Sequence, residues 1–160
     1  MNTPNIVLTR VDNRLVHGQV GVVWTSSIGA NLLLVANDDA AKSELQQELM
    51  AATAETSGVG IRFWSLEKTI STISKASPRQ KIFLIIKTPQ DALTLAKGGV
   101  PIKKLNVGNM HHSGNKVSLT KKVYVDQADI AAFKELVKLG VDVYIQDVPD
   151  EKKILIEDVI

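Results

Sequence analysis

The chain has 160 residues, 44% hydrophobic and 22% charged, which is enough for one domain with a sizeable core. It contains no cysteine, so disulfides, thiolate metal sites and cysteine nucleophiles are excluded. A dispersed net charge of +2 and 4% aromatics argue against nucleic-acid binding, and no apolar run nears the ~18 residues of a membrane span.

The start, MNTPNIVLTR, lacks the layout of a signal peptide, and the expected location is the cytoplasm. A β-type run at residues 6–9 leads into RVDNRLVHGQVG, residues 10–21. A short helix is expected over residues 18–28, where Val20, Val23 and Trp24 fall at i, i+3 and i+4 on one apolar face. Residues 31–36 form a compact apolar run without polar alternation, as in a strand buried on both faces. Asn37, Asp38 and Asp39 stop that run. Either aspartate is a candidate N-cap for one helix over residues 40–55, ending near Gly58.

Residues 61–64 read as a third strand, and Ser65 as the cap of a helix carrying Leu66, Ile70 and Ile73. Pro78 breaks that pattern. KIFLIIK, residues 81–87, is the strongest buried-strand signal, and Thr88, Pro89 and Asp91 then start a helix that Gly98 ends. Residues 104–107 make a short strand before the polar loop GNMHHSGN. Asp126 opens a long last helix, and residues 141–146 alternate like a half-exposed edge strand. The tail from Pro149 is a packed segment or an extra edge strand. Strand and helix alternate throughout, which predicts an α/β fold. It is a single domain over residues 1–160, with an open, mostly parallel central sheet and helices on both faces.

The chemistry concentrates at the first strand-to-helix junction, where Asp12, Arg14 and His17 precede Gly18. Ligands of open α/β sheets bind at the carboxyl ends of strands, and helix N-termini attract anions. A neutral imidazole is a good phosphoryl acceptor near pH 7, so His17 is the candidate nucleophile. Arg14 offers a planar fork of donors for phosphate oxygens, and Asp12 can orient Arg14 or the histidine ring. Gly18 removes a side chain where a phosphodonor would approach. R-x-x-H is a short pattern, and a histidine at a strand end is often structural. A polar cluster at this junction, however, has little packing reason to exist.

Other constellations are weaker. His111 and His112 are adjacent rather than i, i+4, so no metal site is called for and a solvated loop is the simpler reading. There is no G-x-G-x-x-G or Walker pattern to support nucleotide binding. Trp24 and Trp64 read as core or half-core residues, and Tyr124 and Tyr144 as residues lining strand faces.

RVDNRLVHGQVGVVWT resembles the active-site segment of IIB components of the bacterial sugar phosphotransferase system, in their mannose/fructose/sorbose family. VANDDAAKSELQ, the stretch from KIFLIIKTPQDA to VYVD, and QADIAAFKELVKLGVDVYIQDVPDEK look like the later blocks of that family, in its order. The chain is also similar to the N-acetylgalactosamine/galactosamine branch. The resemblance implies a phosphorelay. His17 receives a phosphoryl group on Nδ1 from a phosphohistidine of a IIA partner, and passes it to a sugar delivered by membrane subunits IIC and IID. It implies Arg14 as phosphate clamp, no cofactor and no metal, and a location at the cytoplasmic side of the transporter, as monomer or homo-oligomer. Asn37, Asp38, Lys87, Thr88 and His111 are candidates for supporting or docking roles near the active loop. Either Asp12 or a group of the transporter would take the sugar hydroxyl proton. Two positions depart from the family pattern: Asn13 stands where aspartate is common, and Asn109 where glycine is common. The rival reading is a regulatory or binding module of the same fold, and a third is a small-molecule enzyme using His17 as general base.

Overall fold

The structure, a computed structural model, describes residues 3–160; the side chains of Gln19 and Val20 also lie outside the described residues, and with them the stripe position expected of Val20. Seven strands form one sheet in the order β3 (Gly60–Trp64), β2 (Leu32–Ala36), β4 (Lys81–Ile86), β1 (Asn5–Asp12), β5 (Lys104–Asn109), β8 (Asp142–Ile145) and β9 (Ile154–Leu155). All pair in parallel except β9, which runs antiparallel to β8. The expected open, mostly parallel α/β architecture is therefore the one observed.

The apolar runs form strands because both sheet faces are covered. Along β4, Ile82, Leu84 and Ile86 enter one core cluster while Phe83 and Ile85 enter the other. That is the period-2 alternation of a strand buried on both sides. The cluster with Phe83 holds Trp24 of α1 (Gly18–Ile28) and Met50 of α3 (Glu44–Thr56). The other holds Ala92 and Leu95 of α5 (Pro89–Lys97) and Phe133 and Leu136 of α6 (Gln127–Lys138). So α1 and α3 lie on one face, and α5 and α6 on the other. The chain leaves β1 along the first face and β4 along the second, and those two strands are neighbours. Their carboxyl ends make the topological switch point, where such sheets open a crevice.

Capping signals translated well. Ser65 accepts from the Lys68 N–H at the start of α4 (Leu66–Thr72), and Thr88 accepts from the Asp91 N–H. Asp126 and Asp129 form a capping box at α6. Three expectations need correction. The helix expected over residues 40–55 is two helices, α2 (Asp38–Lys42) and α3, because Ser43 takes an extended conformation and its hydroxyl caps the second. Its cap is neither aspartate but Asn37, which accepts from the Ala40 N–H at 2.9 Å. The strand over residues 141–146 is not the edge, because the tail adds β9 outside it and buries Val143, Tyr144 and Ile145. A two-stranded hairpin, β6 (Val117–Thr120) with β7 (Val123–Val125), stands where no strand was expected.

Candidate functional site

The site is built by the last residue of β1, Asp12, and the five residues that carry the chain from there to α1. Alternation along β1 sends Arg10 and Asp12 to the same face as Leu8, under α1, and leaves them 2% and 1% exposed. A turn follows, with the Leu15 N–H donating to the Asp12 carbonyl at 2.9 Å. Leu15 sits at φ 59, in the left-handed region, a strain of about 1–2 kcal/mol for a residue with a Cβ. Its own burial, with that of Val16, holds the turn down. His17 is extended and is the N-cap of α1, but its side chain makes no capping bond. The ring is thus free to face the site. Gly18 has φ 33, and a Cβ there would meet nothing within 4 Å. Inside this chain the backbone angle, rather than crowding, calls for glycine.

Asp12 is the hub. Its Oδ2 lies 3.1 Å from Nε2 of His17 and 3.3 Å from a guanidinium nitrogen of Arg10. Its Oδ1 accepts from the Arg14 N–H at 3.0 Å and lies 3.6 Å from Nε of Arg14. Burial alone would push this carboxyl up. The hydrogen bonds from His17 and the Arg14 N–H, with the charges of Arg10 and His17, hold it below its ordinary 3.8 instead. An ionised carboxylate only accepts, so Nε2 of His17 carries a hydrogen, and in the neutral ring Nδ1 keeps its lone pair. The Arg14 side chain is 40% exposed, with its Nε turned toward Asp12. The N–H groups that open a helix, here α1, lack intrahelical partners.

The linkage has a definite sign. Asp12 has a folded pKa below its unfolded one, so its contribution to stability is complete above pH 3.8 and is lost as pH falls through the folded value. Asp129 is shifted the same way, by the Gln90 and Asp126 hydrogen bonds and Lys116 working against burial. Unfolding free energy is therefore expected to drop below about pH 4, and to drop less steeply in Asp12→Asn. Denaturant titrations of both proteins at a series of pH values check this; equal slopes would refute it.

The structure brings Asp12, Arg14 and His17 together. The other candidates lie on neighbouring strand ends without a hydrogen bond to those three. Asn37 caps α2, Thr88 caps α5, and Asp38 accepts from the Leu66 N–H at 2.9 Å. Lys87 is exposed at the end of β4. His111 reaches the loop through its backbone. The Asn13 amide fits best with its oxygen 2.8 Å from the His111 N–H and its nitrogen 3.1 Å from both oxygens of Asn109. The two departures from the family pattern, Asn13 and Asn109, are thus partners. Sequence reading missed Arg10, Asn106, Gly108 and Asp147 as parts of this centre. Only the position of Arg10, two residues before Asp12 on a strand, could have signalled it.

A doubly wound sheet with a histidine, an arginine and a buried carboxylate at its switch point has the layout of an α/β protein that handles an anionic group. The profile of the sorbose-subfamily IIB component of the phosphotransferase system matches residues 6–160. N-acetylgalactosamine-specific phosphotransferase enzyme IIB component 1 of Escherichia coli strain K12 is 56% identical over 158 residues, 99% of this chain and all of the relative. Component 2 of the same strain is 53% identical, covering 92% of this chain and 94% of the relative. The crystal structure of the IIB component 1 from Escherichia coli superposes with a TM-score of 0.92 at 57% identity, covering 93% and 97% of the two chains. The chain belongs to the sorbose subfamily of IIB components of the sugar phosphotransferase system, and is a phosphotransferase component.

Proposed function

We propose that His17 accepts a phosphoryl group on Nδ1 from a phosphohistidine of a IIA partner and delivers it to a sugar. The observation that carries this is the hydrogen bond from Nε2 to the buried Asp12 carboxylate, which leaves Nδ1 as the bare nitrogen. In the first transfer the Nδ1 lone pair forms the N–P bond while the donor's N–P bond breaks, its electron pair returning to the donor imidazole. His17 gains positive character and Asp12 stabilises it. Arg14 and the opening N–H groups of α1 meet the charge on the phosphoryl oxygens. In the second transfer a sugar hydroxyl oxygen attacks phosphorus and Nδ1 leaves with its electron pair. The hydroxyl proton goes to a base outside this chain, since Asp12 is buried beneath the ring and already accepts from three residues.

The sugar is an N-acetylgalactosamine or galactosamine type, supported by the names of the relatives with the highest identities quoted above. The protein works in the cytoplasm against membrane subunits IIC and IID; among the described residues no helix is long and apolar enough to cross a membrane. Intact mass tests the reading, after mixing the chain with phosphoenolpyruvate, the two general phosphocarrier proteins and a cognate IIA. One acid-labile, base-stable phosphoryl group is expected, absent in His17→Ala. No gain in mass from a charged IIA by a folded chain would instead favour the regulatory or binding module.

A further inference from the structure

Arg10 is a buried cation that neither transfer step uses. Its guanidinium is held by three stretches of chain at once. One terminal nitrogen donates to Oδ1 of Asn106 at 2.6 Å and to the Gln146 carbonyl at 3.1 Å. The other lies 3.3 Å from Oδ2 of Asp12 and 3.6 Å from Oδ1 of Asp147. The plane rests 5.3 Å over the Trp24 ring, whose Nε1 donates to the Asp147 carbonyl at 2.7 Å. Asn106 also donates to the Gln146 carbonyl, at 3.0 Å.

The backbone makes room for this group. A Cβ on Gly108 would lie 2.0 Å from Cζ of Arg10, closer than any side chain tolerates. Glycine weakens a strand interior by about 0.5–1 kcal/mol, so its place in β5 marks a close approach rather than a turn.

We propose that Arg10 is a positioning residue for phosphoryl transfer, acting through Asp12 to keep Nδ1 of His17 bare. This rests on the reading of His17 as the acceptor. The logic is one of tautomers. An ionised Asp12 requires hydrogen on Nε2. A protonated Asp12 would donate to Nε2 and move the hydrogen to Nδ1, closing the nucleophile. Arg10 prevents that through its fork, which is anchored on Asn106 and holds Oδ2 of Asp12 beneath the ring. Burial pushes the guanidinium's own pKa down, and Asp12 and Asp147 oppose the fall. A lysine would keep the charge but could not span Asp12 and Asn106 together. The titratable and charged groups facing Asp12 are Arg10 from β1, Arg14 and His17 from the loop, with Asp147 beyond Arg10.

Two readouts on the full chain test this: 15N NMR of the His17 imidazole, and the rate of phosphoryl uptake from charged IIA. Wild type is expected to show the Nε2–H tautomer. Arg10→Lys is expected to populate the Nδ1–H tautomer and slow uptake about tenfold. Gly108→Ala displaces the guanidinium without removing its charge, moves both readouts the same way, and serves if the lysine variant does not fold. A folded variant with the wild-type tautomer overturns the proposal, whether or not its rate or stability falls. A wild-type chain that takes no phosphoryl group overturns the carrier reading instead, while the tautomer comparison still decides the part of Arg10.

Discussion

In Asp12→Asn, phosphoryl uptake by His17 is expected to fall about a thousandfold while the chain stays folded. The carboxylate accepts from Arg10, His17 and the Arg14 N–H and pairs with the Arg14 guanidinium, all through two oxygens, and an amide cannot. If the amide oxygen faces the Arg14 N–H, its NH2 group points at Nε2 and forces the hydrogen onto Nδ1. If the oxygen faces His17 instead, the NH2 group opposes the Arg14 N–H and the turn before His17 loses its anchor. Fixing the wrong tautomer of a catalytic imidazole in this way costs about 10³–10⁴ in rate in enzymes whose histidine is held by an aspartate. Stability is expected to fall as well, by about 3 kcal/mol, because the buried Arg10 loses a counter-charge. A single-turnover mass time course against charged IIA, with circular dichroism at the same temperature, measures both. A folded variant within threefold of the wild-type rate would mean that Asp12 does not select the tautomer.

The complementary result is expected from Phe133→Ala. Phe133 is fully buried on α6, in the core cluster on the sheet face opposite α1. Removing the ring leaves a cavity that the rest of this core cluster only partly fills, a loss of about 3–5 kcal/mol. For a chain of this length that is about 10–15 °C in Tm. Below the transition the uptake rate should match wild type, because Asp12, Arg14 and His17 belong to the other face and its loop. Thermal unfolding and uptake at a temperature where both proteins are folded separate the two effects. A large loss of uptake by the folded variant would show that the faces are coupled, and would weaken any account of the site as a local construction.

Much of the fold was legible because its signals are local. The apolar runs at residues 31–36 and 81–87, and the caps at Ser65, Thr88 and Asp126, each depend on a few adjacent residues. Errors arose where one local preference competed with another or met a distant partner. Helix formers run across Ser43 without a gap, yet its hydroxyl caps the second half and the chain turns there. Residues 141–146 alternate as an edge strand should, and only the return of β9 encloses them. The strands of the β6–β7 hairpin, four and three residues long, are too short to announce themselves, and Met110 ties into the hairpin through hydrogen bonds with Lys122 and Tyr124.

The candidate site divides along the same line. Asp12, Arg14 and His17 lie within six residues, so the sequence by itself determined that a carboxylate, a guanidinium and an imidazole share the first strand end. Tertiary structure alone decided which ring nitrogen faces the carboxylate, because that depends on the direction in which a buried carboxylate points. It also decided the surroundings of that carboxylate. Arg10 meets Asn106 and the Gln146 carbonyl across 96 and 136 residues, in space left by Gly108. Sequence spacing carries no trace of such contacts, since parallel strands bring distant residues together by register rather than by proximity along the chain.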